Sequence, residues 1–389
     1  MENKWILTVL KKNAMLIVLI LVYLFFLILT KGGIFSPSSF TELINQNAYV
    51  YILGAGMLMC MLTGGNIDLS CGAFVCLLGA IGGVFMIVSG MSTGLSIVLL
   101  LLIGVAYGML LGSLIAYVHI PPWIATLAGY LAFRGLGTSI LSANSKTGSL
   151  APFPLSFQNL FYGRVFPTEK GVFNWPCFLF GILAACLVAF GVFYIRRSRL
   201  AKGYDAISVS KAIARICISS VAIILMMSKL AMDGGIPTTL LWVAGIILIY
   251  SFITEKTTMG RHFYVVGGNI EAARLSGVNT RRVMFFAYMN MAVLTTIATF
   301  TVIARSQSAY ADVGKNFEMD AISACVVGGV SASGGSGTVM GMVIGATLIG
   351  VINLGMSLIS LDANYQRVVK GVVLLAAVVF DILSQKKNR

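Results

Sequence analysis

The chain has 389 residues, of which 58% are apolar and 10% charged, with a formal net charge of +14 and a mean hydropathy of +0.94. A soluble domain carries about a quarter of its residues charged, so a soluble globular protein is excluded. The apolar residues come in continuous runs of helix length rather than alternating segments of about ten residues, which excludes a membrane β-barrel too.

A membrane helix needs about 20 apolar residues to cross a hydrocarbon core about 30 Å thick, and only chains that close their own backbone hydrogen bonds persist there. In chain order the apolar runs fall near 14–30, 43–62, 69–89, 95–118, 121–141, 173–195, 212–230, 238–254, 284–304, 320–333, 338–359 and 366–384. The expected fold class is therefore an all-α integral membrane protein, a polytopic helix bundle of about 10–12 transmembrane segments forming a single domain over 1–389. The range reflects two Gly-rich breaks, near 63–68 and 334–337, whose flanking runs read as full spans or as re-entrant helices. The first run, Met15 to Leu29, follows Lys11 and Lys12 as a signal peptide would. Its long apolar core, and Thr30-Lys31-Gly32 in place of a small-x-small site, make it the first span instead.

The basic residues lie between the runs, which reads as topology-setting charge and gives no nucleic-acid surface. With the N-terminus inside (Lys4, Lys11, Lys12), alternation also places inside Arg196 to Arg215, Lys256 to Arg282 and the tail of Lys386, Lys387 and Arg389. Seventeen of the 27 Lys and Arg then lie inside and eight outside, with Arg134 and Lys370 within runs. Both termini are thus expected to be cytoplasmic in a multi-pass protein of the inner (plasma) membrane. Segment 142–172 becomes an extracytoplasmic loop and 255–283 a cytoplasmic one, neither long enough for a core of its own.

Catalytic and metal signatures are missing: there are two His (His119, His262), no HExxH, no carboxylate cluster and no GxxxxGKS/T. An enzyme would need such a constellation, so the chain reads as non-catalytic, without metal or cofactor, and its driving energy comes from elsewhere. Seven cysteines (60, 71, 76, 177, 186, 217, 325) have no metal-type spacing and read as free thiols packed as small hydrophobes. Ion-coupled carriers keep ionisable groups inside the membrane. Here Asp68, Asp320, Asp381, Arg134 and Lys370 fall near the ends of runs, where side chains can snorkel.

Gly104, Gly108 and Gly112 recur at helical spacing and predict close helix packing. The break around Asn66, Asp68 and Ser70 is less easily explained, since polar groups in lipid cost free energy unless paired or facing a cavity. Two readings stand side by side: these residues line a path, or they stabilise the helix break. A similar break recurs at Gly328 to Gly337.

The loop 255–283 contains Gly268, Asn269, Glu271, Ala272, Ala273, Arg274, Leu275, Ser276 and Gly277. Asn269 is an N-cap residue, Glu271 complements the helix dipole, and Gly277 is a stop, so a helix of about two turns is expected. Alone it would be marginal. Docking into a groove on a partner protein accounts for it; an ordinary interfacial helix is the alternative.

The Gly-Gly-Asn-x-Glu-Ala-Ala-Arg-Leu-Ser-Gly core of 267–277 closely resembles the cytoplasmic coupling loop of monosaccharide ABC-importer permeases, the ribose, galactoside and xylose group. Gly64 to Gly72 resembles that family's Gly-Gly-Ile-Asp-Leu-Ser-x-Gly segment, with Asn66 inserted and Cys71 where Val is usual. Ile120-Pro121-Pro122-Trp123-Ile124-Ala125-Thr126-Leu127, Arg134-Gly135-Leu136, Asp320 to Ala324, Val327 to Ser331 and Gly334 to Thr338 extend the likeness over about 45–380. The extra length between about 145 and 235 favours the xylose or multiple-sugar branch over the shorter ribose type.

The resemblance implies a type II ABC importer permease fold, with a second permease copy (a homodimer) completing the transmembrane pathway. It implies a partner ATPase that binds ATP and Mg and docks on 268–277, and an extracytoplasmic sugar-binding protein that delivers cargo and carries most of the specificity. The same architecture would suit nucleosides, a furanone-type signal molecule or branched-chain amino acids; a secondary carrier is the alternative from another class.

Overall fold

The computed structural model describes residues 14–169 and 171–386. Of the charges used for orientation, Lys4, Lys11, Lys12, Lys170, Lys387 and Arg389 lie outside the described residues.

Every apolar run contains a helix, though the run 320–333 is helical only to Val327. The long helices are α1 (Ala14–Leu29), α2 (Pro37–Leu62), α3 (Cys71–Gly83, continued by a π turn over Val84–Val88), α4 (Thr93–Ala116) and α5 (Pro122–Asn144). A short α6 (Leu155–Tyr162) precedes α7 (Trp175–Ala201), α8 (Val209–Met232) and α9 (Thr238–Lys256). Two small helices, α10 (Thr258–Gly268) and α11 (Ile270–Leu275), lead into α12 (Thr280–Ser306), α13 (Phe317–Val327), α14 (Val339–Leu358) and α15 (Ala363–Lys386). Their starts follow local chemistry. The Ser36 hydroxyl accepts the Ser39 amide with Pro at the head of α2, and Asn174 accepts the Cys177 amide with Pro at the head of α7, pairings that satisfy amides left free at a helix end.

Among the described residues, eight helices are long and apolar enough to cross a membrane. The rest depart for readable reasons: α1 contributes only a shorter apolar stretch, Met15–Leu29, and α2 carries Asn45, Gln46 and Asn47 in a row. α13 has only 11 residues.

The row Gly104, Gly108, Gly112 of α4 faces α12; a Cβ at Gly108 or Gly112 would lie 2.8 Å from the Met289 or Phe285 carbonyl oxygen. Only hydrogen at these positions lets the two backbones meet. α7 and α8 form a peripheral pair, only 11% and 6% buried over their most apolar stretch, so their apolar faces are those a bilayer would cover. Cys186 and Cys217 are exposed on them, which corrects the expectation that every cysteine is packed; the other five are buried.

The segment 142–172 begins inside α5 and is tied down. Its β1 (Ser149–Leu150) pairs antiparallel with β4 (Ala309–Tyr310), and β2 (Arg164–Val165) with β3 (Ile236–Pro237). Phe157 and Phe161 of α6 are buried against Phe300. Likewise 255–283 includes the end of α9, all of α10 and α11, and the start of α12.

Candidate functional site: a small helix seated on a main-chain junction

α11 stands at one face of the bundle. The Asn269 side chain accepts the Ala272 amide at 3.0 Å, and Gly277 follows with φ +82, the left-handed conformation that stops a helix. Ala273 is fully buried beneath it while Leu275 is 84% exposed. Glu271 and Arg274 face each other at 3.7 Å on the exposed side. An exposed Leu beside an exposed ion pair is a surface suited to a partner.

α10, which the sequence reading missed, holds α11 in place. Thr257 caps it by accepting the Gly260 amide at 3.0 Å, and Phe263 and Val266 are buried. The Thr257 cap and the spacing of Met259, Phe263 and Val266 on one face were the available signals.

The end of α10 meets two other segments with no side chains between them. The Gly335 amide donates to the Leu62 carbonyl, the last of α2, at 3.1 Å. A Cβ on Gly267 would strike that carbonyl and the Gly335 amide; one on Gly65 would strike Ala332, and one on Gly334 would strike Gly64. The Tyr264 hydroxyl also donates to the Gly337 carbonyl at 2.9 Å. Both Gly-rich breaks therefore come together directly under α10.

α13 is a half-helix. Phe317 at its start stacks on Tyr49, with ring centroids 3.7 Å apart, and Tyr49 is at the midpoint of α2. The 11 residues of α13 rise about 16 Å at ~1.5 Å each, roughly half of a hydrocarbon core. The chain thus descends without helix over 307–316, turns helical at mid-height, and reaches the α10 junction through 328–338. Arg134 supports the non-helical part: its Nη1 donates to the carbonyls of Ala311 at 3.0 Å and Val313 at 2.9 Å. Irregular backbone at membrane depth needs such partners.

α3 also starts inside the layer. Ser70 Oγ donates to Asp68 Oδ1 at 2.6 Å and lies 2.7 Å from the Tyr107 hydroxyl, well inside α4. The Ser70 amide donates to the same Asp68 oxygen at 2.8 Å, whereas Asn66 bonds back to the Thr63 carbonyl at 3.0 Å. Asp68 and Ser70 are buried and spend their polarity on closing the turn. The starts of α3 and α13 adjoin, since a Cβ on Gly72 would strike both the Gly314 carbonyl and the Glu318 carboxylate.

The intramembrane charges do not snorkel, contrary to expectation. Arg134 is clamped at mid-helix, and Lys370 Nζ donates to Asp320 Oδ1 at 2.9 Å and Oδ2 at 3.0 Å. The Tyr49 hydroxyl donates to Asp320 Oδ2 at 2.5 Å. Asp320 is buried in the first turn of α13, where the helix dipole favours negative charge. The side chain of Asp381 lies outside the described residues.

A polytopic bundle with α3 and the half-helix α13 starting side by side, and a surface helix resting on the junction of the two Gly-rich breaks, is the architecture of a membrane permease. The chain belongs to the family described as branched-chain amino acid transport system / permease component, whose model matches residues 39–378. It is 34% identical over 374 residues to the xylose transport system permease protein XylH of Haemophilus influenzae, covering 96% of each chain. It is 30% identical to the Escherichia coli protein of the same description, over 96% of this chain and 92% of that one. With the ribose import permease protein RbsC of Escherichia coli it shares 28% identity over 352 residues, 89% of this chain and 88% of that one. No solved structure matches the chain.

Proposed function

We propose that this chain is the permease subunit of an ATP-driven importer of a monosaccharide, with xylose or several sugars as cargo. Two xylose permeases that it matches across 96% of its length support the cargo. The observation that carries the mechanism is α11, a small exposed helix fixed through α10 to the junction of both broken segments. A partner ATPase that binds ATP and Mg docks on Glu271, Arg274 and Leu275, and its closure pushes α10 against the ends of α2 and 328–338. Those segments lead directly to α3 and α13, so the push changes the relative position of the two helices. The chain itself performs no chemistry.

In this reading the α11 face is cytoplasmic, as are both termini, and the opposite face receives sugar from an extracytoplasmic binding protein. A second copy of the chain completes the pathway. Asn66, Asp68 and Ser70 act as break stabilisers, the role their hydrogen bonds favour over lining the path. The test is uptake of labelled D-xylose, D-ribose and D-fructose by proteoliposomes holding the permease with its ATPase and binding protein. Uptake should require ATP and the binding protein; uptake driven by a proton gradient without ATP would sink the proposal.

A further inference from the structure

At the face opposite α11, two adjoining cavities share Asn45 as a common wall. One, of about 230 Å3, lies between α2, the end of α12, α14 and α15, with Gln46, Tyr49, Asn353 and Gln366 in its lining. The other, of about 360 Å3, lies between the start of α2, the end of α14 and the loops around Arg164 and Asp233. Taken together they fall within the range of about 300–1,000 Å3 typical of small-molecule sites.

Each charged side chain lining these cavities already has a partner of opposite sign. Arg164 pairs with Asp233 at 2.8 Å, Lys370 with Asp320 at 2.9 Å, and Arg305 with Glu42. The walls are therefore strongly polar yet carry no net charge. A lone carboxylate or ammonium entering here would find no unpaired counter-charge, although Arg164 Nη1 and Arg305 Nε are buried without a hydrogen-bond partner and leave N–H donors free. The uncharged polar groups are differently placed. Asn45 Oδ1 and Asn353 Oδ1 are buried and have no hydrogen-bond partner. Buried acceptors call for donors, and the free Arg164 and Arg305 N–H groups for acceptors; a hydroxyl group supplies both without bringing charge. The stacked Tyr49 and Phe317 rings add an apolar wall for the C–H face of a small ring.

We infer that the two cavities form one vestibule for an uncharged polyol of monosaccharide size, with Asn45 and Asn353 accepting hydrogen bonds from its hydroxyls. This rests on the import reading above and adds a location and named contacts to it.

The experiment uses the complete importer in proteoliposomes with D-xylose as the probe. Asn45→Leu and Asn353→Leu keep the number and branching of the side-chain heavy atoms and remove the acceptor. Each should lower D-xylose uptake per ATP hydrolysed about tenfold, equivalent to ~1.4 kcal/mol. A second measurement holds even where those variants fail to assemble. With the exposed Cys186 and Cys217 replaced by Ser, Gln46→Cys is alkylated by a membrane-impermeant maleimide added from the side opposite α11. D-xylose should slow that alkylation and L-leucine should not. Wild-type uptake per ATP in both Leu variants, or protection absent or conferred by L-leucine, overturns the vestibule while leaving an importer that works. If the wild-type assembly takes up no sugar under ATP, the import reading fails first, and the two failures are distinct.

Discussion

Gly267→Ala places a methyl group where three backbone segments already touch. The new Cβ would lie 2.6 Å from the Gly335 amide nitrogen and 2.8 Å from the Leu62 carbonyl carbon, whereas ordinary contact begins at 3.4 Å. The Leu62 carbonyl oxygen lies nearer still, so the segments must part by more than about 0.8 Å, and no rotamer relieves them because the atoms are main chain. That stretches the Gly335–Leu62 hydrogen bond, now 3.1 Å, beyond useful length. Overpacking of this kind costs about 1–3 kcal/mol. The neighbouring Gly268 supplies the control, since a Cβ there meets nothing within 4 Å and Ala favours the helix over Gly by up to ~1 kcal/mol. Thermal unfolding of the solubilised protein should show Gly267→Ala melting several degrees below wild type, at about 2–4 °C per kcal/mol. Gly268→Ala should melt at or above wild type. Proteoliposome assays should further show less sugar moved per ATP for Gly267→Ala. Wild-type melting and wild-type yield in Gly267→Ala would refute the tight junction and the coupling route through it.

Three further outcomes are expected. Lys370→Met should destabilise by about 2–4 kcal/mol, somewhat below the ~3–5 kcal/mol of a fully buried pair because Lys370 is 27% exposed; adding Asp320→Asn should restore most of the loss in a double-mutant melting cycle. Arg134→Met should cost about 2–3 kcal/mol, as expected for hydrogen bonds from a charged donor, and amide exchange followed by mass spectrometry should quicken selectively across 307–316. Leu275→Glu, at a position 84% exposed, should leave the melting temperature unchanged and abolish co-purification of the ATPase; retention of the ATPase would remove α11 from the docking surface.

The parts of this fold legible in the sequence were those set by local rules. The apolar runs became helices with ends displaced by a few residues, because lipid leaves the backbone no alternative to pairing within the segment. Asn269 and Gly277 bracket α11 as cap and stop residues do. The half-length of α13 was hidden because Val330 and Ala332 continue an apolar run after the helix has ended at Val327. Lys370 and Asp320, and Arg134 and Ala311, are distant in the chain, so their contacts give no periodic trace; position near the end of a run suggested snorkelling instead. The vestibule draws Asn45, Asn353 and Gln366 from three helices, and nothing in any one of those helices marks the other two.

The glycine junction has an unequal response to force. Backbone atoms already at contact resist being pressed together with a steep repulsion, so a push on α10 reaches α2 and 328–338 almost undiminished. Pulling α10 away is opposed chiefly by the bond of Tyr264 to Gly337, and parting α2 from 328–338 by that of Gly335 to Leu62, each contributing about 1 kcal/mol net. The contact behaves as a strut that is stiff in compression and weak in tension. A cycle that uses it delivers work on the inward stroke and relies on the elasticity of the bundle to return.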